Sequence, residues 1–363
     1  MSGKKLLIGA VGWFSKDMGP DHATVAFCDI NKEKLDKLAL SHPDLTMYTD
    51  FNEMLRHPGL DAVIISTPNF VHAEQAIAAL DAGKHVFLEK PMGINRAECD
   101  AIIAAQKRSG KYLTVDFEMR HSPFAYRMQN FIKSGEYGKL LRMEFIHRRG
   151  AWLEEGNGMW RTRPERSGGL YFMEPIHEVD IFRFLAGEVK WVQSTVGPNA
   201  LPQYRFQDNV CSHFAFESGA MGMIYTTHTH SAIPRNARNF QNTEAYMRSM
   251  GHNMDMIFTF ERGSVGADFI TAKFMFNKYE EWPAGSGGFR VLQDRIEDFT
   301  RGGDSGSFFH DISLMRNEFI RRCVAQCGPL QSPDDILRTH LVCLAAEQSA
   351  QEDFRRVTVE YPC

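Results

Sequence analysis

Apolar residues in the first third of the chain come as short runs separated by segments of helical period. The runs are KLLIGAV (5–11), ATVAFCD (23–29), DAVIIST (61–67), KHVFLE (84–89) and YLTVD (112–116). Each is bounded by turn residues, the pattern of a buried strand. Asn31 is a good helix N-cap, a second helix over about 72–82 stops at Gly83, and a third runs from Asn95 to Gly110. Strands alternating with helices predict an α/β domain over residues 1–120: a Rossmann-like, doubly wound parallel sheet with right-handed crossovers. Ligands bind such sheets beyond the carboxyl ends of the strands.

After residue 120 the pattern changes. A helix is predicted from Pro123 to Ser134. Strand-like runs at 140–147, 190–197, 209–217, 220–230 and 256–261 then alternate apolar and polar positions. Such alternation fits a large open, mainly antiparallel sheet with one covered face. Residues 168–187 leave a glycine turn and become helical, and helices near 307–327 and 333–351 precede a last strand at 355–361. The glycine- and charge-rich stretch 283–307 reads as a loop or an oligomer arm. A second α/β domain is therefore placed at 121–363.

A chain of 363 residues fits two domains. Its formal net charge of −4 provides no basic field for nucleic acid, and no apolar run is long enough to span a bilayer. The N-terminal MSGKKLLIGAVGWF resembles a signal peptide only superficially. Its apolar run is short and lacks a small-residue cleavage pattern, so it reads as a first strand. The seven cysteines are scattered, and Cys323 and Cys327 have no further ligand at zinc spacing. Reduced thiols, no metal and a cytoplasmic location are expected.

One charge placement is unusual. In GKHVFLEKPMG (83–93) an apolar strand ends in Glu89 and Lys90, followed by Pro91. Charges at the carboxyl end of a buried strand belong to a site more often than to a core.

Several ordered segments now form a pattern: STPNFVHAEQAIAALDAGKHV, EKPMG, VDFEMRHSPFAYRMQNFIKSGEYGKLLRMEF and GGLYFMEPIHEVDIFRFLAG. Together they resemble the Gfo/Idh/MocA oxidoreductase family, NAD(P)-dependent enzymes acting mainly on sugars and polyols. The resemblance spans most of the first 190 residues. It implies a C-terminal open sheet that commonly carries the subunit contact, hence a homodimer or homotetramer. It makes Lys90 the catalytic lysine, with His177 facing it, and implies a cis bond before Pro91. By the same resemblance the cofactor lies near Gly9, Gly12, Trp13, Phe14, Ser15, Asp29, Thr67, Pro68, Asn69, His72, Glu89 and Lys90. Substrate-side candidates are Lys90, Arg120, Trp160, Arg161, Arg163, Tyr171, Glu174 and His177. The chemistry agrees: oxidising a secondary alcohol sends a hydride to nicotinamide and a proton to a base. A lysine can serve if burial lowers its pKa, and histidine needs little tuning.

The chain departs from the family pattern in two places. The dinucleotide fingerprint wants glycines where IGAVGWFSKDMGPDH has Gly9, Gly12 and then Phe14. Strand two follows so closely that a full first helix does not fit, which leaves a loop around Ser15 and Lys16 to meet a pyrophosphate. Asp29 ends strand two, where a carboxylate accepts from a ribose diol and repels a 2′-phosphate, favouring NAD over NADP. The second departure is Met173, four residues before His177, where the family often carries an aspartate. Glu174 or Asp180 could replace it. Three functions fit: an NAD-dependent dehydrogenase of a sugar, sugar derivative or cyclitol; a redox-neutral, NAD-dependent glycoside hydrolase; and a non-catalytic sugar or dinucleotide sensor.

Overall fold

The computed structural model describes residues 5–12, 21–148, 156–228, 253–268, 273–299 and 311–362. Contacts divide the chain into two compact units. The first holds Met1–Phe117, Glu165–Gly168 and Ile312–His340; the second holds Glu118–Pro164, Gly169–Asp311 and Leu341–Cys363.

The first unit is a parallel sheet of six strands: β1 (Leu6–Val11), β2 (His22–Cys28), β3 (Thr46–Tyr48), β4 (Ala62–Ile65), β5 (His85–Leu88) and β6 (Leu113–Val115). Their order is β3-β2-β1-β4-β5-β6. The central strands are apolar on both faces because helices cover both. These are α1 (Lys32–Ser41), α2 (Phe51–Leu55), α3 (Asn69–Asp81) and α4 (Arg96–Ser109). Sequence sets their ends. The Asn31 and Asn95 side chains accept from the amides of Lys34 and Glu98, and Gly110 takes the left-handed conformation that stops α4. The order reverses between β1 and β4, which places the binding crevice at their carboxyl ends.

The second unit holds α5 (Pro123–Ser134), β7 (Leu140–Arg148), α6 (Pro164–Ser167, most of it counted with the first unit), α7 (Leu170–Met173) and α8 (Ile176–Ala186). Strands β8 (Val189–Val196), β9 (Asn209–Phe216), β10 (Met221–Thr227), β11 (Asn253–Phe260), β12 (Gly263–Asp268), β13 (Lys273–Glu281) and β14 (Phe289–Asp298) follow. Two helices, α9 (Ile312–Ala325) and α10 (Pro333–Gln351), then lead to β15 (Val357–Thr358). The sheet runs β14-β13-β12-β11-β7-β10-β9-β8-β15, and only the β7–β10 pair is parallel. Aromatic rings fill its covered face: Phe131 packs edge-on to Phe260 and Phe276, and Phe182 to Phe214. The other face carries exposed Ile257, Met275 and Ile296. They lie in one lateral row, since Ile257 and Met275 both pair with Gly266 and Met275 pairs with Ile296.

Three expectations change. Within 283–307, read as a loop or arm, residues 289–298 form β14. Its charges hid it: they are cross-strand partners, as in the Arg290–Glu280 pair, rather than loop residues. Helix α3 starts at Asn69, three residues before the predicted start. Finally, a second unit running unbroken from 121 to 363 does not describe the contacts. Helix α9 packs on β1 and β5 of the first unit, where Met315, Phe319 and Ile320 join Leu6, Ile8 and Phe87 in one core. An amphipathic helix carries no label saying which sheet it will cover.

Candidate functional site

The carboxyl edge of the first sheet gathers Gly12, Asp29, Thr67 and Lys90 from β1, β2, β4 and β5. Gly12 has φ +87°, and a Cβ there would lie 2.2 Å from the Ser66 carbonyl oxygen. Only glycine lets β1 pass the end of β4 in this way. Gly9 lies inside β1, where a side chain would press on Met54 and Leu60, so its role is packing. Trp13, Phe14 and Ser15, with the proposed loop, lie outside the described residues.

The Asp29 carboxylate accepts from the Asn31 amide (2.9 Å) and from the Lys34 ammonium, which also donates to the Gly12 carbonyl. Lys34 thus joins the ends of β1 and β2. Sequence reading missed it, because it sits in the first turn of α1 and only the fold brings it back to Asp29.

The loop after β4 is held from inside. The Asn69 side chain donates to the Ser167 carbonyl at 2.8 Å. The Thr67 hydroxyl donates to Gln75 at 2.7 Å. His72 is fully enclosed, with Nδ1 2.7 Å from the Pro91 carbonyl and Nε2 2.8 Å from the Thr67 carbonyl. Burial lowers its pKa, the two carbonyls oppose that, and the Lys90 charge adds to it. His72 therefore fastens the Thr67 loop to the Lys90-Pro91 segment rather than presenting its ring to a ligand. The Lys90–Pro91 bond is cis. Glu89 pairs with Arg316 of α9 at 3.3 Å. The Met92 amide donates to His340 Nε2 at 2.8 Å, while His340 Nδ1 donates to the Ile336 carbonyl at 2.9 Å. Main-chain clasps at Pro91 and Met92, just after Lys90, fix its backbone while its side chain stays half-buried.

In the second unit the candidates gather around α8. His177 is buried at its start. Arg120 forms a two-pronged pair with Asp180 (Nε to Oδ2 2.6 Å), both buried. Arg120 therefore ties its 3-10 turn (Glu118–His121) to α8. Asp180, one of the two candidate replacements for the carboxylate missing at Met173, is thus paired with Arg120. Glu174 caps the end of α7 and is half-buried. Tyr171 is corrected from a substrate-side residue to a core one. It is 1% exposed, and burial drives its hydroxyl pKa far up. The Arg161 guanidinium lies 4.7 Å from the Trp160 ring centre, and Arg163 is half-buried beside them. Sequence reading also missed Glu347 of α10. It accepts from the Tyr171 amide at 2.6 Å, and burial raises its pKa to about 7 against that bond. Gly169, at φ +102°, leaves the space the carboxyl fills.

Among the described residues no group of three or more His, Cys, Asp or Glu could hold a metal ion, and no helix is long and apolar enough to cross a membrane.

The profile of the oxidoreductase family with an NAD-binding Rossmann fold matches residues 6–117, and that of the GFO/IDH/MocA C-terminal domain matches 126–241. The chain belongs to the Gfo/Idh/MocA family. Relatives include an inositol 2-dehydrogenase of Salmonella typhimurium, 32% identical over 169 residues (45% of this chain, 47% of the relative). The scyllo-inositol 2-dehydrogenase (NAD(+)) of Bacillus subtilis is 32% identical over 181 residues (49% of this chain, 51% of the relative). The chain spans about half the length of the relatives it matches. A solved levoglucosan dehydrogenase in complex with NADH and levoglucosan shares the fold, with TM-score 0.77 and 19% identity over 98% of this chain and 99% of that one. Members of this family are NAD-binding oxidoreductases with a Rossmann fold. At the sheet's switch point, Asp29 offers a carboxylate of the kind that accepts from a ribose diol, and Gly12 a closely approaching main chain.

Proposed function

We propose that the protein is an NAD-dependent dehydrogenase of a secondary alcohol on a sugar, sugar derivative or cyclitol. The observation that carries this reading is Lys90. It stands at the carboxyl end of a central parallel strand, its backbone clasped through Pro91 by His72 and through Met92 by His340. Asp29 would hold the adenosine ribose and the Thr67–Pro68 main chain the nicotinamide end. Bound NAD supplies the hydride acceptor. The single hydroxyl proton leaves its O–H bond for one nitrogen, the His177 ring or the Lys90 amine, while the other group holds the oxygen as the carbonyl forms.

The apolar row Ile257, Met275 and Ile296 on the open sheet face supports a homo-oligomer joined through that sheet. The test of function is nicotinamide reduction by the purified protein with NAD and a panel of inositols, aldoses and anhydrosugars. Steady reduction with one class identifies the substrate. Tight NAD binding with no reduction of any panel member sinks the dehydrogenase reading.

A further inference from the structure

A histidine that handles a proton needs its ring held in one tautomer, and the usual device is a carboxylate on the other nitrogen. In this chain Met173 occupies the position of the aspartate that would do this. The carboxylates of α8 itself are engaged. Glu178 Oε1 lies 3.0 Å from His147 Nδ1 of β7, and Asp180 is held by Arg120. Arg183 pairs with Glu188 at 2.9 Å. Glu118 comes from a different element, the 3-10 turn packed against α8. Its Oε2 lies 3.5 Å from His177 Nδ1, and both residues are buried, at 3% and 8% exposure. Arg120, two residues further along the same turn, anchors that turn to α8 and so fixes where Glu118 stands.

We propose that Glu118 is the positioning carboxylate of His177, replacing from a neighbouring element the aspartate absent at position 173. The contact is within ion-pair reach and does not meet hydrogen-bond geometry, so Glu118 acts on the ring through its charge at this separation. Glu118 holds the Nδ1–H tautomer, which leaves Nε2 as the atom that gains a proton, and its charge favours the imidazolium once formed. This deepens the reading in which His177 handles the substrate proton.

The other charged and titratable groups on elements packed against α8 are Arg120 and His121 of the turn, Tyr171 and Glu174 at α7, and Tyr126, Arg127 and Lys133 of α5. Glu178, Asp180 and Arg183 of α8 and Arg142, Glu144, His147 and Arg148 of β7 complete the set. Arg127 is itself paired, with Glu297. The Glu118→Gln change leaves every one of these in place and removes a single charge.

Two measurements on the protein alone decide the matter. In wild type, nitrogen shifts of the neutral His177 ring, assigned by their loss in His177→Ala, should report a proton on Nδ1. A proton on Nε2 overturns the proposal without any Glu118 variant. In folded Glu118→Gln, the His177 titration should move about one pH unit lower, the size expected for loss of one nearby carboxylate. An unmoved midpoint also overturns it. Neither measurement uses cofactor or substrate, so the polyol panel fails or succeeds separately.

Discussion

The two groups of candidate residues, one in each unit, are held by different means. Around Lys90 in the first unit, the contacts run from side chain to main chain. His72, Asn69 and His340 each grip a carbonyl or an amide of the neighbouring loops. Around His177 in the second unit, the contacts are buried pairs of charged or titratable side chains from separate elements: Arg120 with Asp180, His147 with Glu178, Glu118 with His177. A buried charge depends on its partner, because alone it pays a large desolvation penalty. A half-buried lysine at a strand end, such as Lys90, stays partly hydrated and carries a smaller desolvation penalty. Substitutions in the second unit should therefore cost stability first, and those at the sheet edge should cost function with the fold intact.

Arg120→Ala is the most severe test. It removes the two-pronged charge partner of buried Asp180, which should lower stability by about 3–5 kcal/mol. Urea unfolding reads this directly, and a loss under about 1 kcal/mol would erase the contrast.

Next comes the pH dependence set by Glu347. Its folded pKa is raised, to about 7 from the model-compound value of 4.5. The folded state therefore binds the proton more tightly than the unfolded state. The associated stability is fully present below about pH 4.5, falls as pH rises toward 7, and is gone above that. The span corresponds to about 3 kcal/mol. Glu347→Gln keeps an acceptor for the Tyr171 amide and should flatten this slope, leaving the variant more stable than wild type at pH 8. Parallel stability curves would show that Glu347 is ionised in the fold.

On the other side of the comparison, Lys90→Ala should remove about two orders of magnitude of turnover on the identified substrate while the unfolding curve stays put. Near-normal turnover in the folded variant ends the assignment of Lys90.

The smallest effect is expected where Lys34 and Asp29 meet. Asp29→Ala should weaken NAD by about 1.5 kcal/mol through lost ribose hydrogen bonds and relax rejection of NADP. Lys34→Gln should sharpen that rejection, by leaving the Asp29 carboxylate without its cation. Calorimetry with both dinucleotides measures the two ratios; identical ratios in all three proteins would mean that the ribose is held elsewhere.

The sequence exposed the first unit's candidate residues better than the second's for the same physical reason. Parallel strands buried on both faces are continuous apolar runs, and the turns that follow them are local, so Asp29, Thr67 and Lys90 could be placed by counting. Gly12 was visible as a glycine, but its constraint, the Ser66 carbonyl, comes from another strand. Pairings across separate elements leave no local trace. Arg120 looked like a ligand contact until Asp180 was seen against it, and nothing near Glu118 in the chain points to His177. The charges of β14 misled because the same residues serve loops and cross-strand pairs.

The return of α9 to the first sheet has a consequence for the newborn chain. Met315, Phe319 and Ile320 complete a core whose other members, from Leu6 to Phe87, leave the ribosome more than two hundred residues earlier. Through most of translation that face of the sheet is covered only in part, by Leu35 and Leu38 of α1, and the first unit cannot reach its final form as an autonomous early fold. A chain released before α9 should therefore be the species that chaperones capture.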